Sequence, residues 1–225
     1  VAVNGNVQRD PERPVSWQQD RIEVEGRTIA ALGKVYLMLN KPRGVVTTAA
    51  DEKGRKTVYA HLDPDLPWLG PVGRLDKASE GLLLLTNDSE WAARVLAPET
   101  HLDKTYHVQI ASVADEGFLA ALTRGVGSSE GDFLRAKAAR LLRSGTKNCW
   151  LEMVLDEGKN RQIRRMLVAG GVEVLRLIRV AIGPLALGEL AKGESRFLTK
   201  EEKQRLDAAM KRSHDSGGSR RAKEE

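Results

Sequence analysis

Four consecutive leucines, Leu82 to Leu85, constrain this chain more than any other stretch of it. Four apolar residues in a row cannot alternate between a wet and a dry face, so a strand made of them must be covered on both sides. The run therefore predicts a central, buried strand. With 225 residues and 41% hydrophobic content, the chain can supply one full-sized core around it and a small appendage besides. Only four Trp, three Tyr and three Phe are present, so the core must rest on Leu, Val, Ile and Ala, and aromatic stacking platforms must be sparse.

From Lys34 onward, short β-like runs alternate with helical stretches, and no repeat of fixed period is evident, which predicts one mixed α/β domain over 34–210. Further strands are expected at 35–39, 104–110, 151–155 and 172–180, with Tyr106, Val108 and Ile110 sharing a face. Residues 133–143 have helical composition but are assigned as an edge strand. Helices are expected at 88–96, introduced by Asn87 with Glu90 three residues on, at 115–124 ending at Gly125, and at 161–169 ending at Gly170-Gly171. A last helix begins at Thr199, which forms a capping-box pattern with Glu202. Residues 1–29 read as short strands and turns, with Asn4-Gly5 a natural tight turn. So short a segment is either an added hairpin or the remainder of a domain cut off upstream, and the absence of an initiating Met favours the second. Residues 211–225, rich in Lys, Arg, Ser and Gly, read as a basic disordered tail.

Charge bears on the partner. There are 36 Lys plus Arg against 31 Asp plus Glu, a net charge of +5 with pI near 9.4, which suits a polyanion without requiring one. Locally, Lys159, Arg161, Arg164, Arg165, Arg176 and Arg179 are opposed only by Glu173, which predicts one strongly positive surface. The single cysteine, Cys149, excludes an intramolecular disulfide and a multi-Cys zinc site and fits a reducing compartment. The four His lack paired metal-ligand spacing. No run approaches 18 apolar residues and no signal peptide opens the chain, so the expectation is a cytoplasmic protein without membrane contact.

Three segments could carry chemistry. Gly73-Arg74-Leu75-Asp76-Lys77-Ala78-Ser79-Glu80-Gly81 is a polar loop set against the rigid leucine strand, a good place to hold a reactive side chain. Arg74 and Asp76, two apart, point the same way if extended; a surface ion pair in a turn would look the same. Asp103-Lys104-Thr105-Tyr106-His107-Val108 puts Tyr106 on an apolar face, either as core or as a stacking surface. Asp156 to Met166 reads as a strand end, a turn and a helix start capped by Asn160, with Ile163, Met166 and Leu167 buried and Arg161, Arg164 and Arg165 sharing the other side. Arginines at a helix N-terminus suit phosphate oxygens, although a solvated basic face has the same pattern.

Together these segments resemble the pseudouridine synthases of the ribosomal small-subunit type (RsuA/RluB-like). The likeness rests on Gly73-Arg74-Leu75-Asp76 with Glu80-Gly81-Leu82-Leu83-Leu84-Leu85-Thr86-Asn87-Asp88, on Lys104-Thr105-Tyr106, and on Glu157-Gly158-Lys159-Asn160-Arg161-Gln162-Ile163-Arg164-Arg165-Met166, in the family's order. Leu39 to Gly44 and Leu175 to Gly183 extend it over roughly residues 34–200. Val1–Glu25 resembles the second half of an S4-type RNA-binding domain, whose helical first half the sequence lacks.

The resemblance implies an α+β fold, with a central, mainly antiparallel sheet flanked by helices and a cleft across it. It also implies that uridine is isomerised to pseudouridine without cofactor or metal. Asp76 would be the essential carboxylate, either a nucleophile at C1′ or the base that removes a sugar proton to give a glycal. In both routes it must be ionised, which a neighbouring guanidinium favours while orienting it; the motif assigns that partner to Arg164, with Arg165 as the alternative. The target nucleotide must be flipped out of its stack, Arg74 would fill the vacated space, Tyr106 would lie against the uracil, and Leu175 would form the apolar wall beneath it. Lys159, Arg161 and the rest of the basic run would hold the backbone, with affinity that falls with salt. The implied partner is ribosomal RNA, Arg161 leaning the choice toward the large subunit, and a monomer is expected. A noncatalytic RNA-binding or ribosome-assembly protein with the same fold is the rival reading, but a carboxylate in a positive groove would repel phosphate to no purpose there. A glycosidase would need two carboxylates, and only Asp76 has a convincing setting.

Overall fold

Asn4 and Gly5 both adopt positive φ, 53° and 80°, as a two-residue turn between naturally twisted strands requires. They join β1 (Ala2–Val3) to β2 (Asn6–Val7), and Glu25-Gly26, at 50° and 75°, do the same for β3 (Ile22–Val24) and β4 (Arg27–Ile29). The four strands form their own sheet in the order β2-β1-β3-β4, with Val3 and Ile22 paired across its centre and buried. Asn4 also donates to Asp20 and accepts from the Arg21 amide. This sheet belongs to the first of two units, Val1–Lys34 and Val35–Glu225. The computed structural model describes residues 1–16, 19–29 and 33–218.

The second unit is built on β5 (Tyr36–Lys41), β6 (Gly70–Val72), β7 (Glu80–Thr86) and β8 (Lys104–Ile110), a separate small hairpin of β9 (Val126–Gly127) and β10 (Phe133–Leu134), then β11 (Ala138–Ser144), β12 (Cys149–Leu155), β13 (Val174–Ile182), β14 (Leu185–Ala186) and β15 (Ser195–Phe197). Its nine-stranded sheet runs β11-β12-β8-β13-β7-β5-β15, with β14 paired to β13 and β6 to β7. Only β7 and β13 run parallel, so the sheet is mixed and mainly antiparallel, as expected. The stretch 133–143 is strand, but broken between β10 and β11.

Every residue of β7 is buried. Helices α1 (Ser89–Leu96), α2 (Glu116–Arg124), α3 (Gln162–Ala169) and α4 (Lys200–Gly218) supply much of the cover. Leu82 and Leu84 pack with Trp91 and Val95 of α1 and Leu206 and Met210 of α4, while Leu83 and Leu85 meet Val58, Leu69 and Leu75. Each fully buried leucine contributes about 1.5–3 kcal/mol. Farther along the sheet, Val108, Ile110, Leu151 and Met153 pack with Leu122 of α2 and Ile163, Met166 and Leu167 of α3. Gly81 permits the closest approach: its φ is 102°, and a Cβ there would stand 2.2 Å from the Arg179 carbonyl oxygen on β13.

Several ends differ from expectation in the residue that makes them. Asp88, not Asn87, caps α1, accepting from the Trp91 amide at 3.1 Å, because the helix begins one residue later than a cap at Asn87 requires. Thr199 and Glu202 exchange the expected reciprocal bonds at 3.1 and 2.9 Å. Asn160 does not cap α3; the cap position is Arg161, in the left-handed region at φ 47°. Residues 211–218, expected in the tail, continue α4, and 219–225 lie outside the described residues. Among the described residues no helix is long and apolar enough to cross a membrane.

Candidate active site

The loop between β6 and β7 is held by its backbone. Leu75 O accepts from Thr47 Oγ1 at 2.9 Å, Asp76 O from the Ser79 amide at 3.0 Å and Lys77 O from the Gly44 amide at 2.7 Å. Ala78 O accepts from Arg164 Nη2 at 3.1 Å and Ser79 O from Lys41 Nζ at 2.9 Å. Every carbonyl from Leu75 to Ser79 thus has its own donor, drawn from three parts of the chain. A loop satisfied in this way cannot turn its backbone without breaking several bonds at once, so the Asp76 side chain is presented from a fixed base. Lys41 is wholly buried and also donates to Pro42 O at 3.0 Å; burial pushes its pKa down to about 8, against the pull of Asp76 and Glu80.

The Asp76 carboxylate is one-third exposed (33%), in a cleft of about 580 Å³. Its ion-pair partner is Arg161, whose Nη1 lies 3.6 Å away. Burial and the nearby Arg161 charge push the Arg164 pKa down, and Asp76 counters them, so Arg164 lies within electrostatic reach of the carboxylate while its hydrogen bond goes to Ala78 O. Arg161 faces the cleft from a left-handed conformation, as does His101 at φ 42°. Such strain in residues with side chains recurs at functional sites.

Tyr106 and Lys104 line the cleft from β8, Leu177, Arg179 and Ile182 from β13, Ile163 from α3, and Lys159 from the turn before α3. Arg179 sits opposite Tyr106 in the β8–β13 ladder; it is 6% exposed, its Nε donates to Leu82 O at 2.8 Å, and its buried Nη2 has no partner. Arg74 is exposed and makes no ion pair among the described residues. It borders this cleft and a second hollow, of about 440 Å³, formed with residues 46–55. Among the described residues no three His, Cys, Asp or Glu side chains gather as a metal site would need.

Four expectations are corrected. The guanidinium paired with Asp76 is that of Arg161 and not that of Arg164, which is drawn to Ala78 O instead. Arg165 does not stand beside Asp76: it bonds Ser128 Oγ at 3.0 Å and pairs with Glu130 and Asp132. Successive helical residues diverge by about 100°, so Arg164 and Arg165 cannot share a direction. Leu175 does not line the cleft, and Leu177 does. The β8–β13 register slips between Val174 and Arg176, which leaves Leu175 as the extra residue of a bulge. Nor do the six basic residues share one surface. Arg176 turns to the other sheet face, pairing with Glu80 at 3.1 Å and lying over the Trp150 ring with Arg143, while Arg179 is buried. Sequence reasoning does not single out Lys41 or Thr47, and it places Arg179 only in the basic run. The available signal was a lysine ending the apolar run Leu37-Met38-Leu39, just before Pro42.

The sequence profile of the family described as RNA pseudouridylate synthase matches residues 35–169. The ribosomal large subunit pseudouridine synthase B of Bacillus subtilis is 39% identical over 209 residues, covering 92% of this chain and 85% of that protein. An uncharacterized RNA pseudouridine synthase of Aquifex aeolicus is 38% identical over 212 residues, covering 93% and 84%. Among solved structures, a pseudouridylate synthase superposes with a TM-score of 0.69 at 32% identity, covering 91% of this chain and 87% of that one.

Proposed function

Because the chain belongs to the RNA pseudouridine synthase family, an isomerase family whose fold it shares, we propose that Asp76 is its catalytic carboxylate and a uridine of large-subunit ribosomal RNA its substrate. One observation carries the residue assignment: the cleft brings the Asp76 carboxylate, the Arg161 guanidinium at 3.6 Å and the Tyr106 ring together from three distant segments. The Tyr106 hydroxyl makes no hydrogen bond among the described residues, so the ring is available as a flat face for an extruded base. Arg161 pairs with the carboxylate and orients it, and Arg164 adds positive charge nearby. Arg74, unpaired at the rim, is suited to enter the stack that the nucleotide leaves. Lys159 and Arg161, at the start of α3, suit the flanking phosphates.

The large-subunit target follows the name of the Bacillus subtilis relative. Cytoplasmic ribosomal RNA as substrate agrees with the single buried Cys149. The Val1–Lys34 sheet would add RNA contacts in the manner of an S4-type domain. Asp76→Asn is expected to remove pseudouridine formation, a loss of about 10⁴-fold or more, while leaving RNA affinity within a few fold. Pseudouridine mapping of ribosomal RNA from cells with and without the protein locates the uridine. An Asp76→Asn enzyme at wild-type rate would end the assignment.

A further inference from the structure

Lys104 and Arg179 are two cations lining the cleft, and neither makes an ion pair among the described residues, although Asp156 lines the same cleft. Lys104 lies two residues from Tyr106 on the same strand face, and Arg179 lies directly across the ladder from Tyr106. Lys104 makes no hydrogen bond or ion pair from its side chain among the described residues, and Arg179 keeps an unpartnered Nη2 in the interior. Asp103, next to Lys104, is engaged by Lys137 at 2.7 Å. Burial, then the Arg179 charge, push the Lys104 pKa down, with Asp103 and Asp156 opposing. A desolvated pair of like charges destabilises the free protein unless a ligand answers it.

The reaction supplies such a ligand. When the N1–C1′ bond breaks, its electron pair leaves with the base, whether C1′ is taken by an Asp76 oxygen or becomes part of a glycal after Asp76 removes the C2′ proton. The departing uracil carries negative charge spread over N1, O2 and O4. To offer C5 in place of N1, the ring must turn about its C6–N3 axis, which exchanges O2 and O4. The new C5–C1′ bond then forms as C1′ is released from Asp76, or as the glycal regains its C2′ proton; C5 finally loses its proton and N1 gains one, so nothing is added or lost. A wall of hydrogen-bond donors reads the ring equally well before and after that turn.

We propose that Lys104 and Arg179 bind the uracil carbonyl oxygens, hold the charge of the detached base and accept either oxygen as the ring rotates. The proposal rests on the reading of the cleft as the uridine site and assigns the base-recognition half of it. It also accounts for choice of base: cytosine presents an amino group where uracil presents O4, and a donor-only wall rejects it.

The test uses the full chain and three synthetic RNA hairpins, with uridine, 2-thiouridine or 4-thiouridine at the mapped position. Sulfur accepts hydrogen bonds poorly and disperses charge well, so it lessens the need for donors. Lys104→Met should slow single-turnover pseudouridine formation on uridine about 10²-fold, the usual effect of removing one donor to a developing anion. The same substitution should cost about 10-fold or less on either thio hairpin, because the two changes remove one interaction. Lys104→Arg should restore most of the uridine rate. A wild-type enzyme inactive on the uridine hairpin would overturn the reading of the site itself. With an active wild type, three results overturn this inference alone: a Lys104→Met rate within threefold of wild type, an equal loss on all three hairpins, or a variant that melts well below wild type.

Discussion

Lys41 and Lys104 are both lysines taken out of water beside the Asp76 region, and they are treated differently. Lys41 ends β5 with no exposed surface and both Pro42 O and Ser79 O as acceptors. Lys104 begins β8, faces the cleft and, among the described residues, has no acceptor for its side chain. The first is a closed structural unit that fixes a loop; the second leaves electrostatic capacity for something that arrives. Burial alone therefore does not identify a working charge, but burial without a partner does. Arg165 and Arg161 differ in a related way: Arg165 is tied to Ser128, Glu130 and Asp132, although its buried Nε has no partner, whereas Arg161 is half exposed and its ion pair among the described residues is with the Asp76 carboxylate in the cleft.

The largest effect that sharpens this contrast is expected at Arg161. Arg161→Gly removes the guanidinium and also relieves a φ of 47° that glycine adopts freely. The single-turnover rate should fall about 10²-fold, while the melting temperature holds or rises. A variant that melts lower and keeps its rate would place Arg161 on the structural side and break the contrast.

Lys41→Met comes next and should act on stability. It strips two buried carbonyls of their donor, at about 1–3 kcal/mol each, offset by no longer burying a charge. The net loss expected at neutral pH is about 2 kcal/mol, seen as a lower urea midpoint. The loss should grow with pH. The Lys41 pKa is about 8 in the folded protein against 10.5 for the free side chain, so between those values the unfolded chain holds a proton that the folded one has released. Wild-type stability then rises with pH, by about 2 kcal/mol from pH 8 to 9.5, and the variant does not share this contribution. Above pH 10 Tyr36 opposes the trend: its pKa is raised to about 12 by burial and by Asp88, so the folded state keeps a proton the unfolded chain loses. A gap between wild type and Lys41→Met that stays constant from pH 7.5 to 9.5 would mean that Lys41 keeps its proton in the fold.

What could be read in advance followed the range of the interaction. The leucine run, the Thr199–Glu202 box, the Asn4-Gly5 turn and the stripe of Ile163, Met166 and Leu167 are local patterns, and each lies where periodicity and capping chemistry put it. The three motif segments could be picked out in the sequence, and the cleft brings residues of all three together. What escaped depended on register or on partners remote in sequence. A bulge at Leu175 moved the apolar wall to Leu177, and a left-handed residue moved the α3 cap from Asn160 to Arg161. The clamps Thr47, Gly44 and Lys41 stand some thirty to forty positions before the carbonyls they hold, and nothing in their local sequence names those carbonyls.

The smallest effect should come from Arg165, and it bears on the most tempting misreading of the basic run. Arg165 lies next to Arg164 in sequence, within a motif that carries the family likeness, and linear proximity makes it a natural second partner for Asp76. Its hydrogen bonds and ion pairs instead tie α3 to the residues between β9 and β10, through Ser128, Glu130 and Asp132, and the bond to Asp132 lifts its pKa. Ion pairs whose acidic members are open to solvent contribute little net stability, and salt weakens them. Arg165→Ala should therefore leave the single-turnover rate within about threefold of wild type, against the ~10²-fold loss at Arg161. Its melting temperature should drop by no more than a few degrees, and by less in high salt. If the rate falls as far as in Arg161→Gly while the fold stays intact, the Ser128–Asp132 hairpin and its arginine belong to the RNA site. The division between closed and open cations would then have to be redrawn around that loop.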